Sequence, residues 1–208
     1  MIATLPPLRL SRGDTLYLEG QRAGSLYLVT SGVLRLSVST VSKRQRLADL
    51  AGTGDVIGIG ALDSGLHVDS AVAADCATVA PIEMLATLTS RQGRTELAAG
   101  LNRQLVRSRE LADDLGLPMG ARICRMLARL AQRLGEAPGG GGMADWRHLP
   151  FSLTHDDVAL MAGCARVTAT RILGELREAG VLDGSRGDYV LVPSALEQAA
   201  DRYVYDVL

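Results

Sequence analysis

The hydrophobic pattern of the chain changes period about halfway along. Between residues 13 and 83 short apolar runs recur, at 15–17, 26–30, 33–38, 46–50, 56–57, 70–73 and 77–82. Gly13, Gly20, Gly24, Gly32, Gly52, Gly54, Gly58, Gly60 and Gly65 punctuate them. Brief runs between glycine turns predict strands of a small antiparallel roll or barrel. From about Thr95 the period lengthens: Leu97, Leu101, Gln104, Ser108, Leu111 and Leu115 follow in alternating steps of four and three. That is a heptad seam with two polar members, which can pack on the chain's own roll or on a second copy. Its length and charged flanks favour the second copy. Pro118 is expected to end this helix. Residues 121–134 predict another amphipathic helix, with Ile123, Leu127, Leu130 and Leu134 on one side. Arg122, Arg125, Arg129 and Arg133 flank that side, as a solvated face or a phosphate contact. Residues 139–142 read as a flexible glycine tip, 146–152 as a strand, and 194–207 as a helix whose role the pattern does not show.

The segment 154–174, THDDVALMAGCARVTATRILG, carries the chemistry. Thr154 with Asp157 three residues on predicts a capped helix start, with Asp in place of the preferred Glu. Val158, Ala159, Ala162 and Cys164 stand where a first helix meets a second, and Gly163 falls at the turn. In the second helix Ala169, Ile172, Leu173 and Leu176 form a buried stripe at spacings of three and four. Arg166, Val167, Thr170 and Arg171 lie off that stripe. Two arginines opening a helix behind a glycine turn suit guanine O6 and N7 in a major groove. Val167 can touch a thymine methyl, and Thr168 and Thr170 suit phosphate oxygens. Residues 181–182 and 189–192, around a turn at 184–187, predict a hairpin wing. The candidate DNA contacts are therefore Arg166, Val167, Thr168, Thr170 and Arg171. Thr154 and His155 join them from the first helix start, and Ser185 and Arg186 from the wing.

Composition narrows the picture. The net charge is −1 over 208 residues, which argues for a small site with a few well-placed arginines, not broad charge-driven binding. No apolar run reaches membrane-spanning length, and MIATLPPLRL lacks a signal-peptide pattern, so a cytoplasmic protein without membrane contact is expected. Cys76, Cys124 and Cys164 are widely spaced and odd in number; each is expected to be a buried free thiol. His67, His148 and His155 show no metal-ligand spacing, and there is no G-x-S-x-G elbow or phosphate loop. No enzyme, metal or cofactor is expected.

Roll, long helix and winged helix-turn-helix occur in that order. Four segments carry a resemblance: GDTLYLEGQRAGSLYLVTSGVLRL, GDVIGIGAL, MGARICRMLARLA and GCARVTATRILGELREAGVL. Over about residues 8–192 the chain resembles the cyclic-AMP receptor protein/fumarate-nitrate regulator (CRP/FNR) family of bacterial transcription factors. The reader segment is most similar to the family's cyanobacterial nitrogen-control regulators. The resemblance implies an α+β chain: a β-roll of the cyclic-nucleotide-binding, double-stranded β-helix type over 1–92, a dimerisation helix over 93–117, and a winged helix-turn-helix over 118–208. It implies a homodimer through 93–117 on double-stranded DNA, with RNA polymerase as a further partner.

Family readers commonly present Arg, Glu and Arg to a GTGA-type half-site. Arg166 and Arg171 match the arginines, while Val167 replaces the glutamate, so the resemblance implies a GTA- or GTGA-like half-site in an inverted repeat. The effector site departs further. Cyclic-nucleotide binders of the family carry a Glu after Phe-Gly and an Arg-Ser pair; here the stretches read Ile57-Gly58-Ile59-Gly60-Ala61-Leu62 and Asp69-Ser70. A carboxylate where a phosphate would sit is repulsive, so tight cyclic AMP binding is not expected. The nitrogen regulators use one roll Arg and one helix Arg for 2-oxoglutarate. Arg103 matches the helix position, and no Arg stands between Gly65 and Ala74. The effector candidates are Arg103, Gln104, Ser108 and Ser70. Alternatively Arg103 makes a surface salt bridge, and Gln104 and Ser108 set helix register. The cysteine cluster of iron–sulfur sensors is absent, haem is open only through Cys76 or His67, and a dimer without any effector remains a third option. The alternative function is a signalling module that binds a 2-oxoglutarate-like or other small molecule and does not recognise promoters.

Overall fold

A computed structural model describes residues 1–39, 45–137, 145–185 and 187–205, without the side chain of Ser185. The chain divides into two compact units, Met1–Ser108 and Arg109–Leu208, with the division inside a long helix.

Among its described residues the first unit holds eight strands: β1 (Leu8–Leu10), β2 (Thr15–Tyr17), β3 (Tyr27–Ser31), β4 (Leu34–Ser39), β5 (Gln45–Ala51), β6 (Val56–Ile57), β7 (Ser70–Ala73) and β8 (Ala77–Pro81). They form two antiparallel sheets, ordered β1-β8-β3-β6 and β2-β7-β4-β5. Tyr17, Val29, Leu34, Leu36, Ala51, Ile57, Ala71 and Val79 fill the interior. The seven expected strands are present. The strand the pattern missed, β1, has two exposed residues and one partly buried residue against β8; such an edge carries little alternation to read. Two short helices, α1 (Ala61–Ser64) and α2 (Met84–Thr89), also lacked a periodic signal because each is under two turns.

The long helix α3 (Arg91–Asp114) corrects the heptad seam. Leu97 is buried in a cluster with Ile2, Leu26, Val56 and Ile82, and Leu101 packs on the same cluster. The first two seam positions thus cover the chain's own roll. Leu105 and Val106, one step round, are the apolar residues left exposed. Arg107 adds a polar anchor, its guanidinium reaching Asp55 Oδ1 at 2.9 Å and Asp49 Oδ2 at 3.3 Å. The helix stops at Asp114, before Pro118, which caps the next helix.

The second unit contains α4 (Met119–Leu134), β9 (Arg147–His148), α5 (His155–Ala162), α6 (Arg166–Glu178), β10 (Leu182–Ser185), β11 (Asp188–Leu191) and α7 (Pro193–Tyr205). The strands form an antiparallel sheet ordered β10-β11-β9. Of the strand expected at 146–152 the ladder covers Arg147–His148, extended by the Leu149 N–H to the Tyr189 carbonyl at 3.0 Å, and it stops at Pro150, which has no N–H to give. The tail helix α7 packs on α4 through Leu196, Ala199 and Ala200. Asp114 is buried against α4, accepting from Arg129 Nη2 and lying 3.1 Å from Arg125 Nε. The cysteine expectation needs correction: Cys124 is buried, with its thiol pKa pushed up to about 12 by that burial, whereas Cys164 is half-buried and Cys76 exposed. Cys76 sits in the turn between β7 and β8, where its apolar sequence neighbours say nothing about burial. The glycine tip at 139–142 lies outside the described residues. Among the described residues no helix is long and apolar enough to cross a membrane.

Candidate nucleic-acid interface

Local chemistry builds this site. Thr154 Oγ1 accepts from the Asp157 N–H at 3.1 Å, and Asp157 Oδ2 accepts from the Thr154 N–H at 2.8 Å. This reciprocal capping box fixes where α5 starts. Gly163 ends α5 at φ 71°, a left-handed conformation that glycine adopts at little cost. Arg122 of α4 braces the same turn, donating to the Ala162 carbonyl at 3.0 Å and to the Leu115 carbonyl at 2.7 Å. The basic face of α4 is thereby accounted for: Arg122 holds carbonyls, and Arg125 and Arg129 hold acids at the end of α3. Arg122 and Arg129 are half-buried by these contacts, while Arg125 stays exposed as the solvated-face reading expects.

The helix α6 buries Ala169, Ile172, Leu173 and Leu176, the stripe expected from the sequence. Its opposite face stands out. Val167 is 76 % exposed, the Arg166 and Arg171 side chains are 68 % and 63 % exposed, and Thr170 is exposed beside them. Thr168 is half-buried. No side chain caps the start of α6, where Ala165 stands, so its first N–H groups are open to an anion. Arg166 lies 3.6 Å from Asp156, and Arg171 donates to Glu175. His155 is half-buried with Nδ1 2.9 Å from Thr170 Oγ1. Burial first, then Arg177 and Arg166, push its pKa below the usual imidazole range, which keeps it neutral near pH 7.

The wing is positioned from the same helix. Arg177 Nη2 and Nε donate to the Gly184 carbonyl at 3.0 and 3.2 Å. Gly187, at φ 86°, lies against Ser152 and Leu153, where a Cβ would come 2.5 Å from Ser152 Oγ. The hairpin turn is thus tied to the strand-like entry into α5. Arg186 and the Ser185 side chain, both expected DNA contacts, lie outside the described residues. Arg166, Val167, Thr170, Arg171, Thr154 and His155 are gathered at the α5–α6 pair. Sequence reasoning missed Glu175, legible as an i,i+4 partner of Arg171. It also missed Tyr203, whose hydroxyl donates to Glu175 Oε2 at 2.5 Å from the tail helix.

The effector candidates are not drawn together in the same way. Ser70 is buried, its Oγ accepting from the Glu19 N–H at 2.9 Å. Arg103 donates one Nη2–H to the Gly54 carbonyl at 3.1 Å. Ser108 bonds back to the Gln104 carbonyl of its own helix at 3.1 Å. Gln104 is half-buried on α3. Of the four, Arg103 alone lines the open depression formed by Met1, Ile2, Leu28 and Glu96. Inside the roll, the His67 ring stacks on Tyr17 at 3.7 Å and 6°, and Tyr27 stacks on Tyr17 at 6.1 Å. His67 is 4 % exposed and its Nδ1 has no hydrogen-bond partner. Burial pushes the His67 pKa down and the Tyr17 and Asp69 pKa values up. Among the described residues no cluster of His, Cys, Asp and Glu could hold a metal ion.

Comparison with known proteins agrees with both halves. Residues 7–84 match the profile of the cyclic nucleotide-binding domain, and residues 121–199 that of the Crp-like helix-turn-helix domain. A CRP-like cAMP-activated global transcriptional regulator of Mycobacterium tuberculosis is 26 % identical over 182 residues, 85 % of this chain and 79 % of that one. The fumarate and nitrate reduction regulatory protein of Escherichia coli is 27 % identical over 205 residues, 92 % of this chain and 77 % of its own. The fold also matches a solved CRP-family transcriptional regulator of Thermus thermophilus, with TM-score 0.76, 24 % identity, and coverage of 95 % of this chain and 98 % of the other. The chain, with its antiparallel roll, its helices and its exposed reader face, belongs to the CRP/FNR family of transcription regulators.

Proposed function

We propose that this regulator works as a homodimer on an inverted DNA repeat. In this reading residues 1–92 form the sensor-like roll, 93–117 pair two copies, and 118–208 read DNA. Each α6 enters one major groove, Arg166 and Arg171 bond guanine edges, and Val167 meets a neighbouring base without discriminating strongly. A two-fold protein demands a two-fold site, here with GTA- or GTGA-like half-sites. The dimer surface is the side of α3 that bears Leu105 and Val106, because Leu97 and Leu101 are already used within the roll. The protein acts in the cytoplasm and, at a promoter, on RNA polymerase. The observation that carries the reading is the sorting of α6 into a buried aliphatic stripe and an outward face of Arg166, Val167, Thr170 and Arg171.

Cyclic AMP does not control it. Asp69 stands beside Ser70, the Ser70 hydroxyl is engaged by Glu19, and the stacked Tyr17 and His67 rings occupy the adjoining interior. All three features disfavour a bound cyclic phosphate. Calorimetry with cyclic AMP is expected to show no binding, and a micromolar affinity would overturn this part. The main test is selection from a randomised double-stranded DNA pool at fixed salt. An enriched inverted repeat is expected; enrichment of nothing, or of a site without two-fold symmetry, would refute the dimeric reader.

A further inference from the structure

The tail helix α7 has no role in the reading above, yet it touches the reader through one atom. Glu175 lies one turn after Arg171 on α6, and its carboxylate accepts from Arg171 Nη1 on one oxygen. The other oxygen, Oε2, accepts from the Tyr203 hydroxyl at 2.5 Å. Tyr203 is itself held. Its ring lies over Gly120 at the start of α4, so closely that a Cβ there would come 2.3 Å from Cδ1. Leu196, Ala199 and Ala200 bury the inner face of α7, and Gln132 of α4 donates to Glu197 at 2.8 Å. The phenol is thus anchored by packed backbone on one side and aims at Glu175 on the other. Burial pushes its pKa up, so it keeps its proton and stays a donor.

An exposed i,i+4 Arg–Glu pair is a loose restraint, because both side chains keep most of their rotamers. A third group that fixes the carboxylate changes this. With Oε2 tied to Tyr203, Oε1 presents one fixed point to the guanidinium, and the Nε and Nη2 donors remain for a base edge. A reading arginine supported in this way loses less freedom when it meets a guanine.

We propose that Tyr203 is a positioning residue for base reading: through Glu175 it orders Arg171 before DNA arrives, which makes the tail helix part of the specificity apparatus. This rests on Arg171 reading a base, as argued above.

The test uses the full-length protein and the DNA site it enriches, together with that site's single-base variants. Arg171→Ala first identifies the base pair whose preference depends on Arg171. Tyr203→Phe, which keeps the ring over Gly120, is expected to lower discrimination at that base pair about three- to tenfold, the factor one hydrogen bond of ordinary net strength carries. Preference at the base pair read by Arg166 should not move. In an Arg171→Ala background Tyr203→Phe should have no further effect. Gly120→Ala, whose methyl group must push the Tyr203 ring aside, should reproduce the loss of discrimination at the Arg171 base pair while leaving the Arg171 and Glu175 side chains in place. An equal loss at every base pair, or a Tyr203→Phe effect that persists without Arg171, would show a merely structural tyrosine and overturn the proposal. So would unchanged discrimination in Tyr203→Phe where Arg171→Ala relaxes it, and this outcome leaves the reading of DNA intact. If Arg171→Ala alters no base preference, the reading itself fails and the proposal falls with it.

Discussion

The two units dispose of their polar side chains in opposite ways. In the second unit Arg166, Thr170 and Arg171 face outward from α6, and the groups that touch them, Asp156, His155 and Glu175, guide them without covering them. In the first unit Tyr17 and His67 face inward, stacked on each other, with a buried His67 Nδ1 that has no hydrogen-bond partner and a Tyr17 hydroxyl directed toward Asp69. A surface that must meet a ligand keeps its donors solvated and lightly restrained until contact. An interior that has closed over its own rings presents nothing comparable to a small anion.

Both units nevertheless grip their own stretch of α3 with a buried ion cluster, and the sense of the charges is reversed. The first unit holds an arginine of the helix, Arg107, between Asp49 and Asp55. The second holds an aspartate of the helix, Asp114, between Arg125 and Arg129, with only 2 % of the Asp114 side chain exposed. Removing Asp114 or Arg107 leaves partly solvated partners without their counter-charge, which costs about 1–3 kcal/mol. Asp114→Ala is therefore expected to lower the unfolding midpoint of the second unit by that free energy. Trp146, the only tryptophan, reports that unit. Arg107→Ala should instead raise hydrogen exchange in roll peptides and leave the Trp146 transition in place. If either variant disturbed both units alike, the separate gripping of α3 would be wrong.

The next effect concerns DNA. Arg166→Ala removes a guanidinium that can bond two guanine acceptors, worth about 1–3 kcal/mol of discrimination. Binding to the selected site should weaken roughly tenfold or more at constant salt, with the preference lost at one base pair per half-site. A uniform loss across all sequences would instead mark Arg166 as a phosphate contact.

How much of this was readable in advance follows from sequence distance. The capping box joins Thr154 and Asp157, three residues apart, and the α6 stripe repeats within one helix; local spacing reveals both. The ion cluster of Arg107 and Asp55 spans 52 residues, and the Tyr203–Glu175 bond spans 28. No period links such positions, and charges at such distances look like solvated faces. The heptad seam is ambiguous for a related reason. Leu97 and Leu101 have the spacing of a dimer interface, but whether a partner or the chain's own Ile2 and Val56 covers them depends on the tertiary fold. The DNA candidates on α5 and α6 could be grouped from the sequence because they belong to two adjacent helices. Ser70 comes from a strand and Arg103, Gln104 and Ser108 from α3; Ser70 engages Glu19, Arg103 engages Gly54, and Ser108 only bonds back to the Gln104 carbonyl of its own helix.

Val167 offers a finer probe of the outward face. At 76 % exposure it has room for a longer side chain without repacking. Val167→Glu introduces an acceptor for cytosine N4 and is expected to sharpen preference at one position by about 1 kcal/mol, near fivefold. Site selection with the variant should then return a GTGA-type half-site. An unchanged profile would mean that Val167 does not face a base.

The inward-facing cluster gives the smallest effect, and one confined to a single unit. Because burial holds the His67 pKa below its ordinary value near 6.5, the folded roll favours the neutral ring. Its contribution is fully present above that ordinary value. It is lost as the pH falls through it toward the folded value, since the unfolded chain takes up the proton first. Asp69 beside it acts in the opposite sense: its raised pKa favours the protonated acid in the folded state, so its contribution grows on acidification. His67→Phe keeps a ring against Tyr17 and removes the titrating group. Hydrogen exchange in roll peptides of the wild type should quicken between pH 7.5 and 5.5 beyond the intrinsic change, and in the variant this excess should shrink. His155 is depressed in the same direction within the second unit, so the acid sensitivity of the Trp146 transition should be the same in both proteins. Parallel behaviour of wild type and variant in the roll would mean that folding does not shift the imidazole's titration, and the picture of a roll closed over a ring held neutral by burial would have to be given up.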